Sequence, residues 1–125
     1  MSEKMNLQSP ANPIRLAAVV VSFNRFELLK QAVSAVIEEP VCGLVVVDNG
    51  STDGSREWLA ALDESRLIVL TPERNLGGAG GFEVGFREAL ERFSPDWLVC
   101  FDDDARPAPG ALSQFMVQDL EGVDG

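Results

Sequence analysis

Three consecutive aspartates, Asp102, Asp103 and Asp104, stand directly behind the apolar run WLVCF. Neighbouring carboxylates repel one another, and a cation offsets that cost. In extended backbone alternate residues face the same way, so Asp102 and Asp104 are placed to share one divalent ion while Asp103 points elsewhere. All-oxygen ligation suits Mg²⁺ or Mn²⁺, which complete their coordination shell with substrate phosphates. The plain alternative is a solvated acidic loop that caps a helix beginning near Pro107.

The segment NLGGAGGF holds Gly77, Gly78, Gly80 and Gly81, which permit positive φ and close backbone approach ahead of a helix N-terminus suited to an anion. No register gives GxGxxG and no Gly-Lys-Ser/Thr occurs, so neither a dinucleotide fingerprint nor a P-loop is present. Tight packing of a helix on a sheet explains the same glycines equally well. The run Asp48 to Gly54 (DNGSTDG) superficially suggests a calcium loop, but Asp53 occupies the sixth position, where such a loop needs glycine. Asp48, at a strand end, can instead accept a hydrogen bond from a base or a ribose, or the segment is simply a turn and helix cap. Arg25 and Arg74 can offset a diphosphate charge, or be ordinary surface residues.

Composition narrows the chemistry further. The chain has 125 residues and no histidine, which removes Ser-His-Asp triads and histidine-based zinc sites from this sequence. Ten Lys+Arg against 20 Asp+Glu give a net charge of −10, so nucleic acid is not an expected partner. Cys42 and Cys100 lie in apolar runs and read as buried, reduced thiols. The longest apolar stretches fall far short of the ~20 residues that cross a bilayer, so no transmembrane segment is expected.

These residues need a scaffold, and the text supplies one. Runs 16–22, 41–48, 67–71 and 97–101 are apolar and rich in β-branched residues, as strands covered on both faces are. Helical periodicity falls between them over 26–38, 53–62 (capped by Ser51, Thr52 or Asp53) and from Phe82 to Phe93, with a last short helix over 110–118. Such alternation predicts an α/β fold, Rossmann-like, with a mostly parallel four-stranded sheet flanked by helices on both faces. Residues 1–13 read as a flexible leader, 14–118 as the folded domain and 119–125 as a tail. Every unusual polar cluster then falls at the carboxyl end of a strand, and the clusters should converge on one rim.

The order VVVSFNR, VVVDNGSTDGS, ERNLGGAGGF, WLVCFDDDARPAPGAL resembles the nucleotide-sugar half of family 2 glycosyltransferases of GT-A fold, its wording being most similar to rhamnosyl- and galactofuranosyl-transferases. The resemblance covers residues 14–115. It implies that Ser22, Phe23 and Arg25 cradle the nucleoside, that Asp48 accepts from a uracil or thymine ring, and that Arg74, Asn75, Gly77 and Gly78 lie beside the base and diphosphate. Asp102 and Asp104 match the DxD pair on the metal, with Asp102 and Asp103 counted among the nucleotide-sugar contacts. The implied activity is inverting, hexosyltransferase-type transfer from a UDP- or dTDP-sugar to an acceptor hydroxyl on a glycan or lipid-linked molecule, in cell-wall or polysaccharide biosynthesis. The implied location is the cytoplasm, or the inner face of the membrane as a peripheral protein.

Relatives continue into an acceptor-binding part that supplies a carboxylate base, so the base is expected beyond Gly125 and turnover by these residues alone is not expected. Self-association through an exposed sheet edge is a further expectation. The competing function class is a non-catalytic nucleotide-binding or interaction module. A haloacid-dehalogenase-type phosphatase fits poorly, because its aspartates follow the first strand.

Overall fold

The computed structural model describes residues 14–114. The first apolar run forms β1 (Leu16–Ser22), and every residue of it is buried. After α1 (Phe26–Ile37) comes β2 (Gly43–Asp48), equally buried. Then follow α2 (Ser55–Ala61), β3 (Leu67–Leu70), α3 (Gly77–Phe93) and β4 (Trp97–Asp102). The strands lie in the order β3-β2-β1-β4 and every pairing is parallel.

Strands that are apolar on both faces require cover on both. Leu29, Val33 and Val36 of α1 and Leu59 of α2 pack with Ala18, Val20, Leu44 and Val46 on one face. Ala89, Phe82 and Phe86 of α3 pack with Ala17, Val19, Val45 and Val47 on the other. The α/β architecture with helices on both faces is therefore as expected.

Several boundaries differ from the sequence reading, each for a local reason. Strand β2 starts at Gly43 rather than residue 41, because the Val41 carbonyl is taken by Arg66 Nη1 at 3.2 Å. Helix α2 starts at Ser55 with Gly54, at φ 101°, in the cap position instead of Ser51, Thr52 or Asp53; the Asp53 side chain lies just before it, its Oδ1 accepting from the Ser55 N–H at 3.1 Å and from Ser55 Oγ at 2.7 Å. That bond to the Ser55 hydroxyl is the main cause holding the Asp53 carboxyl below its ordinary range. Helix α3 begins at Gly77, so most of the glycine run lies within the helix instead of preceding it. Of the helix expected over 110–118, a turn at 111–114 is described; residues 115–118, the leader and the tail lie outside the described residues. Buried Glu39 holds that turn, accepting from the N–H groups of Gly110 and Leu112 at 3.0 Å each.

The cysteine expectation is corrected: Cys42 is half-buried and Cys100 is exposed. Cys100 pairs with Val19 on the face that α3 covers, yet α3 packs over β1 and β2 and does not reach across the edge strand β4.

Where α3 crosses the sheet, side chains are excluded. A Cβ on Gly85 would stand 2.5 Å from Val19 Cγ1 and 3.2 Å from Val47 Cγ2, both on fully buried strands, whereas one on Gly78 would meet nothing within 4 Å. Alanine gains about 1 kcal/mol over glycine in a helix interior, but overpacking a fixed core costs roughly 1–3 kcal/mol. Gly85→Ala is therefore expected to lower the thermal midpoint by several degrees, and Gly78→Ala to leave it at or above wild type, as read by circular dichroism.

A second device ties β3 to the end of α1. Arg66 donates to the carbonyls of Ile37 at 2.8 Å, Glu39 at 3.1 Å and Val41 at 3.2 Å, satisfying backbone acceptors that the helix leaves open. Its Nε donates to Glu64 Oε2 at 2.8 Å, and this hydrogen bond holds the Glu64 carboxyl at about 2, against an ordinary 4.5. A carboxyl lowered on folding stabilises fully above pH 4.5 and loses that contribution as pH falls toward 2. Urea midpoints should therefore separate wild type from Glu64→Gln at pH 7, and the gap should close as the pH is lowered through that window.

Candidate functional site

The chain runs from β1 outward to β3 and then crosses back through α3 to β4 on the opposite side of β1. At such a reversal the connections leave the neighbouring strands in opposite directions and open a crevice at their carboxyl ends. An open cleft of about 370 Å³ lies there. It is lined by Ser22 at the end of β1 with Phe23 and Arg25 just after it, Asn49 after β2, Asn75, Gly77 and Gly78 before and within α3, and Asp102 at the end of β4 with Asp103 and Asp104 in the turn that follows.

The register sets which side each group occupies. Asp102 pairs with Val21, which puts it on the α3 side of the sheet. The chain then turns, with the Ala105 N–H bonded to the Asp102 carbonyl at 3.0 Å. The alternation expected for extended backbone fails at this point, because β4 ends at Asp102 and Asp103 and Asp104 belong to the turn. Asp103 faces inward: it is buried, its Oδ2 accepts from Ser22 Oγ at 3.2 Å, and its Oδ1 lies 3.9 Å from Arg25 Nε. Asp104 stays exposed, with Oδ2 3.8 Å from Arg25 Nη1.

The other walls are braced by hydrogen bonds between the loops after β1 and β2 and the start of α3. Asn24 sits at φ 51° and accepts from the Thr52 N–H at 2.7 Å, while its own N–H donates to Ser51 Oγ at 2.8 Å. The Phe26 N–H donates to Asp53 Oδ2 at 2.9 Å. These bonds join the loop after β1 to the loop after β2. Asn49 does the same for the glycine segment, since its Oδ1 accepts from the Leu76 N–H and its Nδ2 donates to the Gly77 carbonyl, both at 3.2 Å. Asn49 was not singled out from the sequence; its one signal was its place directly behind a strand end.

The glycine run divides by position. A Cβ on Gly81 would lie 2.7 Å from Val21 Cγ1, so Gly81 serves packing. Gly77, at φ +75°, and Gly78 meet open space and line the cleft.

Two expected residues stand apart. Asp48 pairs in register with Ser22 and is wholly buried. Its Oδ1 accepts from the Ser51 N–H at 3.0 Å, but its Oδ2 has no hydrogen-bond partner among the described residues and lies 3.8 Å from Arg56 Nε. Arg74 is exposed and is not among the residues lining the cleft. Arg25 is the single cationic side chain among the cleft's lining residues, facing three carboxylates.

Among the described residues no group of three or more His, Cys, Asp or Glu side chains is assembled to hold a metal. The donor set is nevertheless of the right kind for Mg²⁺ or Mn²⁺, because the carboxylates of the turn offer hard oxygens and such ions leave their remaining positions to phosphate and water. Among the described residues no helix is long and apolar enough to cross a membrane.

Comparison with known proteins places this architecture. Residues 17–121 match the model of glycosyl transferase family 2. The chain is 41% identical over 95 residues to a galactofuranosyltransferase of Mycolicibacterium smegmatis, covering 74% of this chain and 31% of that protein. It is 33% identical over 89 residues to a dTDP-rhamnosyl transferase of Shigella flexneri, covering 71% and 29%. The chain thus spans about a third of the length of these curated relatives. Among solved structures, S. aureus TarS in complex with UDP-GlcNAc superposes with a TM-score of 0.71 at 19% identity, over 86% of this chain and 32% of that one. The mannosyltransferase PcManGT from Pyrobaculum calidifontis, in complex with GDP-Man and Mn²⁺, superposes with a TM-score of 0.63 at 25% identity, over 83% and 32%. With a parallel GT-A-like sheet, its cleft at the strand reversal and a family match over most of its length, the chain belongs to glycosyl transferase family 2.

Proposed function

We propose that the cleft at the β1/β4 reversal binds the nucleoside diphosphate of a UDP- or dTDP-sugar, for inverting transfer of the sugar to an acceptor hydroxyl. The observation that carries this reading is the meeting of an acidic turn, one arginine and an open glycine helix start around a single cleft. Asp102 and Asp104 are the residues that would hold Mg²⁺ or Mn²⁺. Held there, such an ion would offset charge on a departing diphosphate. Asp103 keeps the turn seated against Ser22. Gly77 and Gly78 leave room for a phosphate to approach the backbone at the start of α3.

The nucleobase falls to the other side of β1. Asp48 Oδ2 is a buried acceptor without a donor, which is costly unless a ligand supplies one, and the imide N–H of uracil or thymine is such a donor. Arg56, half-exposed beside it, would move aside to admit the ring. Arg74 would approach the diphosphate from outside the cleft. Two relatives support the nucleotide class: one is named a dTDP-rhamnosyl transferase and another is solved with UDP-GlcNAc.

Calorimetry of UDP, dTDP and GDP with the full chain, with and without Mn²⁺, tests this assignment. Metal-dependent binding of UDP or dTDP, at least tenfold tighter than without the ion and lost in Asp104→Ala, is expected. Equal binding with and without Mn²⁺ would remove the metal from the reading, and no binding of any of the three would remove the donor site. Asn49→Ala takes away both bonds that fix the start of α3. It should weaken UDP binding by about five- to thirtyfold, the range for losing one or both bonds at ~1 kcal/mol each, while the Mn²⁺ requirement persists.

A further inference from the structure

Arg25 is the lone cation lining a cleft that holds three carboxylates, yet it engages them loosely. Its guanidinium lies 3.9 Å from Asp103 and 3.8 Å from Asp104, which is ion-pair distance without hydrogen-bond contact, and its side chain is 54% exposed. Pairs of this kind are weak and readily exchanged. The backbone beneath it is fixed. Arg25 caps α1, its carbonyl accepts from the Leu29 N–H at 2.8 Å, and the next N–H is held by Asp53. The stem is therefore anchored while the charged end can turn within the cleft.

We propose that Arg25 is an exchangeable counter-cation of the acidic turn: without metal it pairs with Asp103 and Asp104, and when a divalent ion held by Asp102 and Asp104 offsets the charge of the turn its guanidinium is released to the nucleotide diphosphate. The inference rests on the donor-site reading above and adds to it a coupling between the two ligands. Alone on the turn, Arg25 competes with the ion. Once the ion is bound, Arg25 no longer faces uncompensated carboxylates and is free to meet an anion. Metal and diphosphate thus favour each other through one side chain, beyond any contact they make directly, and the coupling is reciprocal.

The test is a binding cycle on the full chain, with Mn²⁺ alone, UDP alone and both together, after subtracting the Mn²⁺·UDP equilibrium in solution. In Arg25→Gln, Mn²⁺ alone should bind about three- to tenfold tighter, the order that Coulomb's law gives for removing a unit charge some 4 Å away in an exposed site. In the same variant UDP in the presence of Mn²⁺ should bind about three- to tenfold weaker, and the coupling factor should fall. Opposite signs in one variant are what a merely structural role cannot produce, since a damaged cleft weakens both. Unchanged or weaker binding of Mn²⁺ alone in Arg25→Gln overturns the proposal. So does a wild-type Arg25 Nε–H resonance that does not shift on saturation with Mg²⁺, a measurement that needs no variant. Failure of the wild type to bind either ligand would overturn the donor-site reading instead.

Discussion

The pairing of β4 against β1 is the constraint from which the rest of this site follows. Among the described strands, β1 alone has two neighbours reached by connections leaving in opposite directions: α1 leads toward β2, and α3 returns from β3 to β4. The register Val21↔Asp102 brings the acidic turn level with Ser22, close enough for the Ser22 hydroxyl to donate to Asp103. A one-residue slip would carry Asp102 to the other face of the sheet, away from α3 and its glycines. The register is secured by burial of β1 on both faces, because a slipped β4 would also turn Val99 and Phe101 away from the cluster they pack against.

Much of this was legible in the sequence because it follows from periodicity. Unbroken apolar runs with β-branched residues identify strands buried on both sides, and Leu29, Val33 and Val36 identify the buried face of α1. Parallel order and the site at the strand ends then follow from chain topology. The errors came where tertiary contacts decide. Alternation placed Asp102 and Asp104 on one side only if the strand continued, and a turn bonded from Ala105 to Asp102 ends it. Cys100 has the apolar neighbours of a buried residue, but it stands on an edge strand that α3 leaves uncovered.

The glycine run shows why a composition signal underdetermines a role. Gly81 and Gly85 are required by contact with Val21 and Val19, while Gly77 and Gly78 border open cleft, and nothing in NLGGAGGF itself separates the two uses. Asn49 was harder still to see. Its amide is satisfied on both sides by the backbone of residues 76 and 77, a contact that exists only once β2 and α3 are side by side. Packing positions and cleft-lining positions are thus divided along one helix by where it crosses the sheet.

Electrostatics gives the site its direction. A chain of net charge −10 that gathers three carboxylates into a cleft repels any phosphate unless positive charge is brought there. Arg25 is one charge against three, is largely exposed and makes no hydrogen bond to the aspartates, so it cannot serve the turn and an incoming diphosphate at the same time. A divalent ion bound as proposed would change that balance, offsetting the carboxylates and leaving the arginine to the anion. On the proposed reading, the charge arrangement that repels a free diphosphate would favour one that arrives with its metal, ahead of any contact with base or sugar.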